Sequence, residues 1–399
     1  MWGEDYIKLA LRMEKAVPGF VDGYYGPVEW KVEVEAEDER TPGELLKEAR
    51  RLRMTLQHQS FEPRREAYLG KQVDAMVTVC RKLYGESISL DEEVRTCFDI
   101  VPQWTPEALF EEAHALMEEA LPGPGSLTDR VSARRVRYDL GREQSGLVQG
   151  LLESAMAEVR RKTLAFVDLP EGEGLEIRTV TGQPWGAYNW YMGHYRSLVE
   201  FNTDLPTNVN SMLDTMAHEG YPGHHTEHVL KEKLLYEAKG YLENAILLIN
   251  TPECVISEGI ATLAGDMVLA PGDKERWLAE QAYPKAAMAR DAVDGGKLGR
   301  AGDLMAGVRG NAVIMLHAEG RPEDEVVDYL MRWQLLPEDR ARKALQFLKS
   351  PLWRAYTFTY YYGKRLMEPL LQGPDRVTVF RRLLTEQVYP SMLLEWMKS

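Results

Sequence analysis

The chain has 399 residues, of which 44% are apolar and 28% are charged, and its formal net charge is −14. This composition is typical of a globular protein with one large two-lobed unit or two to three smaller domains. The acidic balance argues against a nucleic acid or an anionic membrane as partner, because both require clustered Lys and Arg.

The sequence also predicts where the protein works. No window approaches the ~18 continuous apolar residues of a membrane span, and the start, M-W-G-E-D-Y, lacks the apolar run of a signal peptide. Three scattered cysteines are too few for a disulfide framework. We therefore expect a cytoplasmic protein with reduced thiols, and the sequence leaves its oligomeric state open.

Residues 1–174 are predicted to form a mostly helical N-terminal region. A capping box opens one helix, with Thr41 as the cap and Glu44 three residues later. The Pro- and Gly-rich stretch 121–129 interrupts the helical pattern. The stretch D-L-P-E-G-E-G at 168–174 is the predicted boundary with the second region.

Residues 175–399 are predicted to form a second region that begins with a small sheet or hairpin. The segments 175–180 and 197–203 are rich in β-branched and aromatic residues, as strands are. The aromatic segment between them is a candidate for a further strand or a hairpin. From Asn208 the pattern is helical to the end. The whole chain is thus predicted to be mainly α, in one compact two-lobed unit.

Half of the eight histidines lie in the stretch H-E-G-Y-P-G-H-H-T-E-H that begins at residue 218. The zinc signature H-E-x-x-H places two histidines one helical turn apart, but Pro222 occupies the position of the second. In an unbroken helix His224 would lie about 240° around from His218, and His225 about 10 Å further along. Neither could then share a metal ion, whose bonds to nitrogen are only ~2.0–2.1 Å long.

A two-residue bulge at Tyr221-Pro222 would resolve this conflict, because it returns His224 to the position of the second histidine in the signature. We therefore predict His218 and His224 as metal ligands. His225 is the alternative second ligand, and His228 is expected not to bind the ion directly.

The first motif, followed by S-E-G-I-A-T-L-A-G-D at 257–266, resembles the bacterial domain-of-unknown-function family number 885. That family carries H-E-x-x-P-G-H-H and then E-G-W-A, is regarded as zincin-like, and is distantly similar to gluzincin peptidases such as the carboxypeptidase Taq and thimet oligopeptidase families. The match spans roughly residues 180–370, and Ile260 stands where the family has Trp. The resemblance implies a zincin-like, gluzincin-type architecture of two helical lobes around a central cleft.

The resemblance also implies that Glu258 is the third metal ligand. Independently, Glu258 lies among small and apolar residues, where an unpaired carboxylate is costly and needs a cation. An exposed helix position or an N-terminal cap is the competing interpretation. Two His and one Glu leave a position open for water, as a catalytic zinc ion requires. Glu219 is then placed to take a proton from that water and pass it to the leaving amine.

Three further features match the family. Its Tyr-x-x-Gly corresponds to Tyr360 and Gly363, which implies Tyr360 as an oxyanion donor; packing is the alternative. His317 matches a family histidine, but Val313 replaces the family's aspartate, so a core histidine is an equal interpretation. The resemblance suggests that strand 197–203 is an edge strand that pairs with the substrate backbone, with core packing as the alternative.

The sequence therefore predicts a zinc-dependent hydrolase, most simply a metallopeptidase that cleaves short peptides. One Zn²⁺, or another divalent ion, would be bound by His218, His224 and Glu258, with Glu219 and Tyr360 as catalytic residues. Two alternatives stay open. One is a non-haem iron oxygenase, which also uses two His and a carboxylate. The other is a non-catalytic metal- or peptide-binding protein on the same scaffold.

Overall fold

The computed structural model describes residues 1–398 apart from Pro184 and Leu205. Within them the chain is mainly helical, as the sequence predicted, and it has three small sheets where the sequence predicted one sheet or hairpin. Thr41 and Glu44 form the predicted capping box at the start of one helix. The helices of the first half are α1 (Trp2–Ala16), α2 (Val28–Ala36), α3 (Pro42–Thr55), α4 (Pro63–Leu83), α5 (Leu90–Phe98), α6 (Glu107–Ala120), α7 (Leu127–Arg137) and α8 (Ser145–Thr163).

The second half contains the helices that carry the histidine motif and those that surround it. They are α9 (Met212–Glu219), α10 (His224–Lys231), α11 (Pro252–Val268), α12 (Asp273–Trp277), α13 (Tyr283–Ala286), α14 (Gly295–Met305), α15 (Val308–His317), α16 (Glu323–Gln334), α17 (Glu338–Lys349), α18 (Thr357–Met367), α19 (Arg376–Thr385) and α20 (Pro390–Trp396).

The largest sheet contains the strands predicted after residue 174. They are β3 (Gly174–Val180), β4 (Ala187–Gly193) and β5 (Arg196–Asn202). β5 is the central strand, because it pairs parallel with β3 and antiparallel with β4. The prediction that the segment 197–203 is an edge strand is therefore wrong. An isolated strand pattern does not reveal its neighbours, and β4 is the edge that faces the histidine motif.

Two further sheets join distant parts of the chain. β1 (Val21–Tyr24) pairs antiparallel with β7 (Ile246–Leu248), and β2 (Asp139–Leu140) pairs with β6 (Thr207–Asn208). The sequence predicted none of these short strands, because two to four residues are too few for a period to be recognised. Both sheets cross the predicted boundary at residues 168–174.

Helix α11 lies where three clusters of buried side chains meet. Val255 packs with the N-terminal helices, Ile260 with the C-terminal helices, and Ala264 with α8 and α9. Burial on all sides explains why this helix is apolar around most of its circumference. Glu258 sits in the middle of it, so a carboxylate is held at the centre of the molecule.

Among the described residues, no single helix is both long and apolar enough to cross a membrane. The helical segments Pro252–Val268 and Asp273–Ala286 reach the length and apolar composition of a membrane span only when they are taken together, and the chain bends by 76° between them.

Candidate metal centre and active site

The histidine motif is divided between two helices. α9 ends at Glu219 and α10 begins at His224, on either side of a cis Tyr221–Pro222 peptide bond. The Gly223 N–H donates to the Ala217 carbonyl at 3.0 Å, and the Thr226 N–H donates to the Gly220 carbonyl at 3.3 Å. Each bond spans six residues, whereas an α-helical bond spans four. This is the two-residue insertion that the motif spacing predicted.

Close packing explains the glycine just before His224. A Cβ atom on Gly223 would lie 1.9 Å from the carbonyl oxygen of His218 and 2.5 Å from that of Ala217. A side chain at this position would therefore force the two helix ends apart. The junction keeps the rings of His218 and His224 4.8 Å apart between centroids and nearly perpendicular.

His218, His224 and Glu258 converge as predicted from the sequence. Glu258 Oε2 lies 3.5 Å from His218 Nε2 and 3.8 Å from His224 Nε2. One ligand atom from each residue lies within 4.8 Å of the other two. Tetrahedral zinc with bonds of ~2.0–2.1 Å holds its ligand atoms about 3.4 Å apart. The cluster therefore needs only small side-chain movements to enclose an ion of that size.

The hydrogen bonding of Glu258 provides a test of whether the residues fit a cation. Its Oε1 accepts from the Tyr356 hydroxyl at 2.6 Å. Its Oε2, which faces both histidines, is buried and has no hydrogen-bond partner among the described residues. A buried acceptor without a partner is costly and rare. A divalent cation between Oε2 and the two imidazoles would satisfy it, so the donor set fits a metal such as zinc.

A hydrogen-bonded chain fixes the orientation of His224. Its Nδ1 lies 3.0 Å from Ser257 Oγ, and that hydroxyl donates to Glu227 Oε2 at 2.6 Å. Because the hydroxyl proton points to the carboxylate, the serine oxygen is left to accept from Nδ1–H. His224 Nε2 then carries the lone pair that faces Glu258. Glu227 is itself fully buried and is held by Lys231 at 2.7 Å.

Burial also keeps the imidazoles neutral, which is the form that binds metal. It lowers the pKa of His218 to about 4, against a hydrogen bond with the backbone of Ala261. Burial, together with the charges of His218 and His228, lowers the pKa of His224 well below its usual value. His228 stacks parallel to His224 at 6.1 Å between centroids but does not belong to the three-residue group.

The carboxyl groups of Glu219, Glu258 and Asp22 lie close together around the inner pocket. Burial raises the pKa of Glu219 to about 8, helped by the charges of Glu258 and Asp22. Burial raises the pKa of Glu258 to about 8 as well, although hydrogen bonds from Tyr356 and Tyr360 oppose the shift. Unneutralised carboxylates crowded together are unfavourable. A bound cation would stabilise their ionised forms.

Tyr360 lies one helical turn after Tyr356 and faces the same carboxylate. Tyr356 is buried, whereas 42% of Tyr360 is exposed to solvent. The two helices involved touch through glycines: a Cβ on Gly363 would lie 2.5 Å from the Val255 carbonyl oxygen and 2.7 Å from the Gly259 nitrogen. Gly259 of the S-E-G motif and Gly363 of the Tyr-x-x-Gly motif thus allow α18 to approach α11 closely.

The structure places the other candidate histidines outside the cluster. His225 is fully buried; its Nε2 lies 3.1 Å from Glu173 Oε2 and its Nδ1 lies 2.8 Å from Ser197 Oγ. It therefore points away from His218 and joins the sheet to α10. His317 Nε2 lies 2.8 Å from the carbonyl oxygen of Leu348, which is a structural contact.

The cluster lies where a wide cleft meets a small inner pocket. The cleft has a volume of about 1210 Å³ and the pocket about 110 Å³. His218, Glu219 and Ala187 line both, and Ala187 belongs to the edge strand β4. Molecules in the cleft can therefore reach His218 and Glu219, and the pocket can hold a small group beyond them.

Several residues of the site were not singled out from the sequence. Asp22 accepts a hydrogen bond from the Tyr188 hydroxyl, and both line the inner pocket. They come from β1 and β4, which no motif connects with the histidines. Ser257 could have been identified from the sequence, because it directly precedes Glu258 in the second motif. Asp214, which precedes His218 by one helical turn, pairs with Lys274.

Comparison with known proteins establishes the fold only. The sequence matches no protein-family model, and no curated protein matches it. The fold is similar to "the putative lipoprotein from Colwellia psychrerythraea", with a TM-score of 0.58 and 15% identity over 93% of this chain and 70% of that chain. A "putative lipoprotein of unknown function from Shewanella oneidensis" gives a TM-score of 0.48 and 11% identity over 93% and 76%.

Proposed function

We propose that this protein is a zinc-dependent hydrolase, and specifically a metallopeptidase of zincin-like architecture. The observation that carries the proposal is the buried, unpartnered Oε2 of Glu258, which faces the Nε2 atoms of His218 and His224. Such a set of two neutral imidazoles and one carboxylate suits zinc and leaves a position open.

A divalent ion at this site supplies Lewis acidity and lowers the pKa of water. The chain's own residues supply the rest. Glu219 directly follows His218 and lines the cleft, so its carboxylate takes a proton from the attacking water and passes it to the leaving amine. The hydroxyl of Tyr360, partly exposed beside Glu258, donates to the oxyanion that forms on the substrate carbonyl.

The shape of the cleft supports a peptide as substrate. At about 1210 Å³ it can admit several residues of an extended chain. Ala187 of the edge strand β4 lines it, and an edge strand offers backbone groups to a peptide in the manner of β-augmentation. The resemblance of both motifs to gluzincin-like sequences supports the same choice. The presence of a base next to a ligand favours hydrolysis over metal storage or oxygenation.

Metal analysis and one substitution test the proposal. We expect about one zinc ion per chain in the wild-type protein and loss of that ion in His218→Ala and His224→Ala. Glu219→Gln should keep the ion and the fold but lose peptide hydrolysis by several orders of magnitude, because an amide cannot accept the proton. Purified protein that holds iron and consumes oxygen, or a Glu219→Gln variant with near wild-type turnover, would refute the mechanism.

A further inference from the structure

Three arginines that line the cleft, Arg135, Arg340 and Arg376, form no side-chain hydrogen bond or ion pair with another described residue, and the first two are close enough for their charges to interact. Arg135 lies on the last turn of α7 and Arg340 on the first turn of α17. Within the described residues, neither guanidinium takes part in a hydrogen bond or an ion pair. Two lysines of the same cleft behave differently, since each has a carboxylate partner: Lys274 pairs with Asp214 and Lys364 with Asp303.

The lack of a partner is specific to the cleft side of α7. Arg134, on the same turn, forms an ion pair with Asp291 at 2.9 Å. Arg137 donates to the Ala289 carbonyl at 3.5 Å. These neighbours are used to attach the helix to the rest of the molecule, whereas Arg135 extends into the cleft.

The charges of the two guanidiniums act on each other. Partial desolvation lowers the pKa of Arg135, although its side chain is exposed, and the positive charge of Arg340 lowers it further. Asp139 opposes this effect, but it lies beyond ion-pair distance, and its Oδ1 already accepts from Asn208 at 2.8 Å. Two neighbouring guanidiniums without a counter-ion repel each other. A carboxylate between them would relieve the repulsion and accept charge-assisted hydrogen bonds from both.

The position of Arg135 relative to the metal cluster can be estimated along the chain. Asn208 Nδ2 donates to the Arg135 carbonyl at 3.1 Å, and Asn208 leads through a short 3₁₀ turn into α9 and His218. At ~2.0 Å per residue of 3₁₀ helix and ~1.5 Å per residue of α-helix, this span is about 16 Å. Ser211 and Thr215 line the cleft between the two ends. An extended peptide covers ~3.3–3.6 Å per residue, so three to five residues bridge the distance, allowing for the length of the arginine side chains.

We propose that Arg135 and Arg340 form a subsite for a carboxylate of the substrate, about three to five residues from the bond that is cleaved. This inference rests on the proposed peptidase function and specifies its substrate class as short peptides with a carboxylate at that distance. The carboxylate is either the C-terminus or the side chain of Asp or Glu, since both offer the same two oxygens to a guanidinium.

Binding to a zinc-loaded Glu219→Gln protein tests the subsite without turnover. The probes are alanine peptides of three to eight residues, each as a free acid and as a C-terminal amide, with dissociation constants from titration calorimetry. At the peptide lengths that let the C-terminus reach the arginines, we expect the free acid to bind at least tenfold more tightly than the amide. At other lengths the two forms should bind with equal affinity. Amidated peptides with one Glu at successive positions distinguish the two sources, because only a side-chain subsite restores tight binding to them.

Substitution then assigns the preference to the two arginines. Arg135→Gln and Arg340→Gln, in the Glu219→Gln background, should each reduce the preference for the acid about tenfold or abolish it. The matched controls are Arg137→Gln on α7 and Arg342→Gln on α17, which should retain it. The subsite is refuted if acid and amide bind equally at all lengths, if no peptide binds, or if the controls lose the preference to the same extent.

Hydrolysis of the same peptides by the wild-type protein separates this inference from the proposed function. If the arginine-dependent preference is present but no peptide is cleaved, the subsite stands and the peptidase proposal fails. If peptides are cleaved with no difference between acid and amide, the peptidase proposal stands and the subsite fails.

Discussion

Tyr356 and Tyr360 face the same carboxylate but have different surroundings. Tyr356 is buried and donates to Glu258 Oε1 at 2.6 Å, whereas Tyr360 is partly exposed to solvent beside the inner pocket. The first tyrosine is therefore placed to orient Glu258, a ligand in the proposed metal site. The second is placed to contact a reacting group.

Removing the Tyr360 hydroxyl should affect the reaction and leave the metal in place. We expect Tyr360→Phe to lower kcat by roughly 10²–10³-fold with little change in KM, because a hydrogen bond to the oxyanion strengthens in the transition state. Steady-state kinetics with a fluorogenic peptide would measure both constants. A variant with unchanged kcat and lower thermal stability would show that Tyr360 serves packing instead.

Tyr356→Phe should give the opposite pattern. Loss of its hydrogen bond leaves Glu258 Oε1 without a donor, so zinc affinity should fall about 10- to 100-fold, as is typical when a group that orients a ligand is removed. Competition with a chelator would measure the affinity, and activity at saturating zinc should recover most of its wild-type value. Equal zinc affinities of Tyr356→Phe and the wild type would contradict this role.

At the residue scale, the sequence predicted which histidines converge but not what orients them. The spacing of H-E-G-Y-P-G-H-H required an insertion, and the insertion selects His224 over His225. Spacing alone could not show which tyrosine contacts Glu258, because residues 356–362 contain four tyrosines. Asp22 enters the site through the pairing of β1 with β7 and the hydrogen bond from Tyr188 of β4, and no local pattern reveals these long-range contacts.

At the element scale, the contact between α11 and α18 decides the geometry of the site. α11 carries Glu258, α18 carries Tyr360, and the two backbones meet at Gly259 and Gly363. The sequence contained both glycines within motifs but gave no reason for them. The structure supplies the reason, since a Cβ on either glycine would lie less than 3.0 Å from the backbone of the other helix.

A methyl group at this contact should disturb both stability and catalysis. We expect Gly363→Ala to destabilise the fold by about 1–3 kcal/mol, the usual cost of overpacking, and to lower kcat because Tyr360 moves away from Glu258. Urea unfolding and peptide kinetics would measure the two effects.

The matched control is Gly302→Ala in α14, where no atom lies within 4 Å of the added Cβ. Alanine there should be neutral or stabilise by up to ~1 kcal/mol, as in any exposed helix. Similar behaviour of the two variants would contradict the packing argument.

At the scale of the whole molecule, the sequence indicated a composition break near residues 168–174 but not how the two regions pack. Cys80 and Cys97 lie before the break and Cys254 after it, yet all three belong to one buried cluster. α11 contributes to this cluster and to the two others that surround the site. Because the core is shared in this way, we expect the two regions to unfold together.

The three cysteines provide a test of this cooperativity that needs no substitution. All are free and buried, and burial raises the pKa of each thiol to about 12. At pH 8 only ~1 in 10⁴ of such thiols is ionised, and alkylation requires the thiolate, so labelling in the folded protein should be negligible.

A brief iodoacetamide pulse across a urea series, followed by mass spectrometry of peptides, should show Cys80, Cys97 and Cys254 becoming reactive at the same urea concentration. A zinc-loaded sample should shift all three midpoints upwards together, because an ion bound only by the folded state stabilises it. Labelling of Cys80 and Cys97 at a lower urea concentration than Cys254 would mean that the N-terminal region unfolds separately.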